Sequence, residues 1–386
     1  MDQNSAAATT QPAPAHLGSR RALRWLVPLG AAGVVALLAS GALSADAKGN
    51  LPAQSAAQLL AAVGNSKVAG FSGTVVEKAS LGLPELPDLG GESASTGPLG
   101  LLTGSHTARV WYAGETKQRI ALLDSLGEQD VFRDGRQLWQ WNSDTRTATH
   151  STLPDAAAAS ATPAPVLTPD AAARRALDLI GPSTVVSTDR AGTVAGRAAY
   201  VLVLTPKDAR SRVGSVRISV DGKTKVPLAV QVYPRSSQKA AIDISFTRFS
   251  DAVPSNDNFD WTPPAGVTVT KPTAVRQASG SPLAAGKAPV MSTTGKGWTT
   301  VAQLKGVPSL ASLGKIGDQG KKSDQRALGQ QGNEANVLLG SLPQVHGAWG
   351  SGRLFSSRLV TALLTSDGRV FVGAVDPELL YQAAAR

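Results

Sequence analysis

The stretch that most constrains the fold is residues 198–270, a series of short apolar and alternating runs. Alternation of apolar and polar residues has the period of a β-strand that buries one face. The runs cover residues 198–205, 215–220, 226–232 and 242–247. Asp221-Gly222 supplies a turn, and Pro263-Pro264 ends the series because proline cannot donate to a central ladder. The pattern predicts four consecutive antiparallel strands with one apolar face.

Composition excludes most catalytic chemistry. The 386 residues include no cysteine and four histidines, so disulfides, thiolate metal sites and cysteine nucleophiles are excluded. The nucleophile-elbow, zinc-protease, P-loop and dinucleotide-binding motifs are missing from the sequence. His106, His150 and His346 are isolated from one another and suit surface or turn positions. We therefore expect no catalytic residue, no metal site and no cofactor, and a protein that is not an enzyme.

The net charge of +10 is unevenly distributed. From residue 271 onward, 13 basic residues stand against 6 acidic ones, whereas residues 48–270 have 22 against 20. The nearly neutral strand region argues against a nucleic-acid partner. The basic C-terminal part favours contact with an anionic surface such as a bilayer.

The N-terminal segment predicts export or anchoring. Residues 1–24 are polar and end in an arginine-rich stretch, which predicts a disordered cytoplasmic tail. Residues 25–45 are mostly apolar and long enough to cross a bilayer. Two alternatives remain open: a single-pass anchor in the cell membrane with an extracytoplasmic main domain, or a cleaved signal that leaves an exported protein. Export by the general or the twin-arginine route also remains open.

The predicted main domain, residues 46–270, contains an unusually long loop. It begins with a helix at 52–63 and a strand at 71–76, and the loop of residues 79–105 follows. The loop is rich in leucine, so it is either a flap packed on the core or an adaptable apolar lid that touches a ligand or a membrane. The candidate lid residues are Leu81, Leu83, Leu86, Leu99, Leu101 and Leu102.

Residues 107–150 predict two β-hairpins and a return strand. In the second hairpin, Trp139 and Trp141 share a face, and they serve either core packing or a ligand. Residues 153–165 read as a linker, and Thr168-Pro169-Asp170 predicts the start of a helix that ends near residue 180.

The C-terminal part reads as a linker and a small extension. Residues 271–332 are mostly polar and rich in small residues, which predicts a flexible linker with one short helix at 299–304. Residues 333–386 predict a hairpin, with strands at 354–365 and 370–375, and a final helix. Since a hairpin and a helix bury little on their own, we expect this extension to dock on the main domain.

Several motifs resemble those of the LolA family of lipoprotein carriers. They are Phe71-Ser72-Gly73-Thr74, the hairpin sequence of residues 133–142 (RDGRQLWQWN), the strand sequences of residues 203–207 and 216–220, and the segment of residues 261–269 (WTPPAGVTV). They follow one another in the family's order over residues 52–270. The N-terminal domain of RseB, a periplasmic regulator that binds an anti-sigma factor, shares the fold and has similar motifs.

The resemblance implies a fold that is mainly β with some α. It implies a curved antiparallel half-barrel sheet with helices across its concave face, together with a C-terminal hairpin-helix extension. In the family, the cavity holds acyl chains. The residues expected to line the cavity are Trp111, Ile120, Leu122, Trp139, Trp141, Val203, Ile218, Val230 and Ile244.

One departure weakens the expectation of strict lipoprotein hand-over. The family carries an arginine just after the tryptophan of its second strand. Here that tryptophan is Trp111, and the place of the arginine falls near Gly114, with Arg109 and Arg119 out of register.

We therefore expect a non-catalytic extracytoplasmic protein that binds a lipid or a lipidated protein, as a carrier or presenter. The alternative is an RseB-like sensor that binds a membrane protein such as an anti-sigma factor, and an accessory subunit of a transporter is a third possibility.

Overall fold

A computed structural model describes residues 51–64, 66, 68–82, 103–123, 127–153, 181–270, 290–305 and 340–386. The predicted tail and anchor of residues 1–45, and the helix expected to begin at Thr168, lie outside these residues. Within the described part of the chain, no helix combines the length and the apolar character needed to span a membrane.

The described elements are mostly strands. The helices are α1 (Ala56–Gly64) and α2 (Pro377–Ala384). The strands that form the larger sheet are β1 (Phe71–Ser80), β2 (Thr103–Tyr112), β3 (Lys117–Leu123), β4 (Glu128–Asp134), β5 (Gln137–Asn142), β6 (Thr147–Thr152), β7 (Thr184–Val194), β8 (Arg197–Pro206), β9 (Val213–Asp221), β10 (Pro227–Pro234), β11 (Ile242–Ser250) and β12 (Thr268–Thr270). The strands of the smaller sheet are β13 (Val290–Thr294), β14 (Val301–Lys305), β15 (Gln344–Gly347), β16 (Gly350–Ser356), β17 (Thr361–Thr365) and β18 (Val370–Gly373).

The larger sheet joins two meanders. Its strand order is β12-β6-β5-β4-β3-β2-β1-β11-β10-β9-β8-β7. Pairing is antiparallel throughout, except that β12 runs parallel to β6. The meander predicted from residues 198–270 is confirmed as β8 to β11. The sheet is curved and open, so the predicted half-barrel fold class is also confirmed.

Helix α1 begins where its sequence supplies a cap. The Ser55 hydroxyl accepts a hydrogen bond from the Gln58 backbone N–H at 3.3 Å, and the Gln58 side chain accepts one from the Ser55 N–H at 2.8 Å. This is a reciprocal capping box, and it starts the helix later than the predicted residue 52. Leu59 and Val63 then place the apolar stripe of the helix in the main core.

The larger sheet has two chemically different faces. We call the face that carries Phe71, Val110, Ile120, Ile218 and Ile244 the core face, because these side chains are buried in one apolar cluster with α1. Strand alternation places the intervening residues on the opposite side, the outer face.

The smaller sheet has its own core. Val301, Leu363 and Phe371 pack with Val375 and with Leu380 of α2. The C-terminal region therefore contains the expected hairpin and final helix, and it adds further strands. Part of the predicted linker, residues 290–305, forms β13 and β14 in this sheet.

Two local predictions in this region are wrong. The short helix expected at 299–304 is a 3₁₀ turn, Gly297–Thr299, followed by β14, because a short apolar run fits a strand as well as a helix and β14 pairs with β18. The single strand expected at 354–365 is divided into β16 and β17. Ser357 forms the turn between them, and its hydroxyl accepts from the backbone N–H of Val360 at 3.0 Å.

The two sheets contact each other. Ser211 of the β8–β9 connection forms an isolated antiparallel bridge with Val375. The indole N–H of Trp298 donates to the Thr184 hydroxyl at 2.7 Å. Leu359, in the β16–β17 turn, is buried in the main core rather than in the core of its own sheet.

Candidate lipid-binding face

The residues expected to line one cavity fall on both faces of the larger sheet. Ile120, Leu122, Ile218, Val230 and Ile244 lie on the core face. Trp111, Trp139, Trp141 and Val203 lie on the outer face, so the nine residues do not share one wall. The reason is register, since a shift of one residue in the pairing of two strands moves every side chain to the other face.

The register of two neighbouring strands shows this directly. Ile120 of β3 lies opposite Val110 of β2, and Arg119 lies opposite Trp111. Ile120 and Trp111 therefore cannot share a wall. On the other half of the sheet, Val230 lies opposite both Ile218 and Ile244, and these three side chains form a row across β9, β10 and β11.

The core-face residues differ in how much of their surface is covered. Ile218 and Ile244 are fully buried, whereas Leu122 and Val230 are half-buried at the margin of the apolar cluster. A ligand that lies on this face would displace fewer of the protein's own side chains to contact Leu122 and Val230 than to contact the fully buried isoleucines.

On the outer face, a tryptophan is covered by an arginine from the next strand. The Arg119 guanidinium lies 4.7 Å from the ring centroid of Trp111 and 4.6 Å from that of Phe132. It also pairs with Asp130 at 3.0 Å and with Glu128 at 3.3 Å. Burial raises the pKa of Asp130 above its ordinary value, although Arg119 opposes the shift. Arg119 is thus adjacent to Trp111 in space, although it follows it by eight positions in the sequence.

The other outer-face tryptophans are covered by the segment between β11 and β12. Trp261 of that segment lies 5.2 Å from Trp139 and 5.7 Å from Trp141, measured between ring centroids. Trp261 also stacks on Phe132 at 5.2 Å, and His150 stacks on Trp139 at 4.1 Å. Since these rings are packed against one another, the structure favours the core-packing interpretation of Trp139 and Trp141.

The core face contains one acid that the sequence analysis did not single out. Glu77 of β1 is 1% exposed, and neither carboxylate oxygen has a hydrogen-bond partner. Its neighbours across the strands are His106 on β2 and Ile244 on β11. Burial raises the pKa of Glu77 to about 8. The alternation Phe71, Val75, Glu77 could have identified it, because the pattern assigns an acid to the apolar face.

The predicted lid begins next to this acid. Leu81 is buried in the main core, and its carbonyl accepts a hydrogen bond from the Arg358 backbone N–H at 2.7 Å. The Arg358 side chain donates to the Ser80 carbonyl at 3.3 Å. The remaining candidate lid residues, Leu83, Leu86, Leu99, Leu101 and Leu102, lie outside the described part of the chain.

Two other acids, Asp221 and Asp367, stabilise turns. Asp221 accepts two hydrogen bonds from the Arg197 guanidinium, at 2.7 and 2.8 Å, and one from the Thr224 N–H at 2.7 Å. Asp367 binds Arg369 across the β17–β18 turn. Among the described residues, no group of His, Asp and Glu is arranged to hold a metal ion.

Comparison with known structures gives matches at low sequence identity and low TM-score. MucB is 16% identical, with a TM-score of 0.40 over 85% of this chain and 96% of MucB. The structure of the Pseudomonas aeruginosa MucA/MucB complex gives a TM-score of 0.41, with the same identity and coverage. A LolA superfamily protein from Nitrosomonas europaea is 13% identical, with a TM-score of 0.24 over 54% of this chain and 99% of that protein.

The sequence itself matches a family. No curated protein matches it. Residues 123–262, from the last position of β3 to Trp261, match the model of the outer membrane lipoprotein carrier protein LolA family, so the predicted LolA-like character of the chain is confirmed over that segment.

Proposed function

We propose that this protein is a non-catalytic extracytoplasmic binding protein that holds the acyl chains of a lipid or lipidated protein against the core face of its larger sheet. The observation that carries the proposal is the continuous apolar surface that β1, β2, β3 and β8 to β11 present on one side of an open sheet. The LolA family match over residues 123–262 supports the same ligand class.

The driving force is burial of the acyl chain. Removing apolar surface from water yields about 25 cal/mol per Å², and it requires no directional contact. The half-buried residues Leu122 and Val230 are the contacts that we assign to the ligand, with Ile120, Ile218 and Ile244 behind them.

The test is lipid content and uptake of the full-length protein. Native mass spectrometry of detergent-free protein is expected to show a co-purifying lipid. After delipidation, the protein is expected to take up dansyl-undecanoic acid with an increase in fluorescence. Finding neither a bound lipid nor uptake of the probe would contradict the proposal.

Two adjacent leucines provide a matched pair of variants. Leu122 lies on the core face and Leu123 on the outer face, and both are half-buried in β3. Leu122→Gln is expected to weaken probe binding by about tenfold, because it places an amide against the acyl chain. Leu123→Gln is expected to leave binding nearly unchanged. Equal effects of the two variants would place the ligand elsewhere.

A second candidate function is lipid sensing coupled to a membrane-protein partner. The observation that favours it is the contact between the smaller sheet and the start of the lid, where Arg358 binds Leu81 and Leu359 enters the main core. A ligand that displaces Leu81 from the main core would reach the smaller sheet through this contact. The test is whether lipid binding changes amide hydrogen exchange in β16 and β17.

A further inference from the structure

Glu77 lies in an environment on the core face that is energetically unfavourable for a carboxyl group. A carboxyl group that is buried without a hydrogen-bond partner costs free energy, and buried polar groups in folded proteins are normally paired. Glu77 is almost completely buried, and both of its oxygens are unpaired on the core face, where Ile244 lies opposite it on β11. Folding stability therefore does not account for this residue.

The described neighbours of Glu77 offer few hydrogen-bond donors to its carboxyl group. On its own strand, the neighbours on the same face are Val75 and Ala79. The residue opposite on β11 is Ile244, and the described helix α1 contains no titratable residue. The titratable residue that faces Glu77 is His106, which lies opposite on β2.

Another cation lies nearby but binds a different group. The Arg358 guanidinium approaches the end of β1, where it donates to the carbonyl and the hydroxyl of Ser80 at 3.3 Å. Among the described residues, the carboxyl group of Glu77 therefore accepts no hydrogen bond from a cation, and its acceptor capacity is unused.

We propose that Glu77 is the polar anchor of the lipid site, and that its carboxylate accepts hydrogen bonds from a donor in the ligand's headgroup, a hydroxyl or, more strongly, an ammonium group. This inference rests on the proposed function and extends it from the acyl chain to the headgroup. Position supports it, because Glu77 lies opposite Ile244, which belongs to the row of core-face side chains assigned to the acyl-chain site.

The protonation state of Glu77 sets the conditions of the test. Its pKa is about 8, so at pH 9 the carboxyl group is mostly ionised and acts only as an acceptor. At pH 6 it is protonated and can also donate to an ester oxygen. Discrimination between headgroups is therefore expected at pH 9 and is expected to shrink at pH 6.

The experiment compares three ligands that share one chain length. Dodecylamine, dodecanol and methyl dodecanoate are titrated at pH 9 against the bound methyl ester of dansyl-undecanoic acid, an uncharged probe that the ionised Glu77 does not repel. With the wild-type protein, dodecylamine is expected to displace the probe at about tenfold lower concentration than methyl dodecanoate, because hydrogen bonds to an ionised group are the stronger class. Dodecanol is expected to lie between them, and the separate amine and alcohol titrations distinguish the two kinds of donor.

Two substitutions at this position and one control complete the design. Glu77→Leu is expected to abolish the order of the three ligands. Glu77→Gln, which preserves size and polarity, is expected to keep dodecanol binding but to lose the preference for the amine and its dependence on pH. Lys78→Gln changes an exposed side chain on the outer face of the same strand and is expected to behave as wild type.

Failure of this inference can be distinguished from failure of the proposed function. If all three ligands displace the probe equally well, and Glu77→Leu behaves as wild type, the anchor is disproved while lipid binding stands. If the delipidated wild-type protein does not bind the probe at all, both the lipid site and its anchor are disproved.

Discussion

At the scale of single residues, Glu77 makes stability depend on pH in a predictable direction. Its pKa rises from an ordinary value of 4.5 to about 8 in the folded state, so the folded state holds the proton more tightly than the unfolded chain. Stability is therefore lost as the pH rises from 4.5 to 8, and the loss is complete above 8. Relative to wild type, Glu77→Gln is expected to gain about 5 kcal/mol in free energy of unfolding over that range. Urea unfolding at a series of pH values measures the difference.

Lys78→Gln again serves as the control at this scale. It is expected to differ from wild type by a constant amount between pH 5 and pH 9, because its side chain is exposed. Stability curves of wild type and Glu77→Gln that run parallel over the same range would show that Glu77 is not buried as described.

At the scale of elements, β1 is the strand on which the larger sheet depends, and Gly73 allows its close packing. A Cβ atom at Gly73 would clash with the Arg248 carbonyl and would lie 2.6 Å from the Phe246 ring. The adjacent Phe71 ring stacks on Tyr112 at 5.1 Å and on Phe249 at 5.7 Å. Gly73→Ala is therefore expected to destabilise the protein by about 1–3 kcal/mol, the usual range for overpacking. Thermal or urea unfolding measures this.

Gly181 is the matched control for Gly73. A Cβ atom there meets nothing within 4 Å, and its backbone φ angle is outside the left-handed region. Gly181→Ala is expected to be neutral or stabilising by about 0.5 kcal/mol, because it restricts the unfolded chain. A loss of stability at Gly181 as large as that at Gly73 would mean that close packing is not the cause.

At the scale of the whole molecule, Leu359 connects the two sheets. It belongs to the turn between β16 and β17 but is buried in the main core. If lipid binding is sensed by the smaller sheet, ligand is expected to change amide exchange in residues 350–365 of the wild type, and Leu359→Ala is expected to reduce that change by at least half. Hydrogen-exchange mass spectrometry with and without dodecanol measures it.

Leu363 provides the comparison for Leu359. It is buried in the core of the smaller sheet and does not enter the main core. Leu363→Ala is expected to destabilise the smaller sheet, by about 2–5 kcal/mol, without weakening lipid binding by the larger sheet. If ligand does not change amide exchange in the smaller sheet of the wild-type protein, a simple carrier is favoured over a sensor.

Alternation was sufficient to predict β8 to β11, because these strands are consecutive and their apolar residues recur every second position. It was not sufficient to assign the cavity wall. Trp111 and Ile120 both lie in apolar strands, and only the pairing of Trp111 with Arg119 shows that they face opposite sides. The register depends on how the two strands pair, and periodicity within one strand does not determine that pairing.

Only the hairpin of the smaller sheet was predicted, and its other strands were missed for a different reason. β14 is short, and its partner β18 follows after more than sixty intervening residues, so neither strand identifies the other locally. Glu77 was not identified because the first strand was predicted to end at Val76, one residue before it, whereas β1 continues to Ser80.

The pairing of β1 with both β2 and β11 affects when the larger sheet can fold. Ser72 lies opposite Trp111 on one side and opposite Ser250 on the other, so the centre of the larger sheet is completed by a contact between residues far apart in the chain. Contacts of such long sequence separation slow folding, because a large loop must close first. A chain that emerges from its N-terminus therefore exposes the apolar face of β1 until residue 250 has followed, and the core face is completed only late in synthesis.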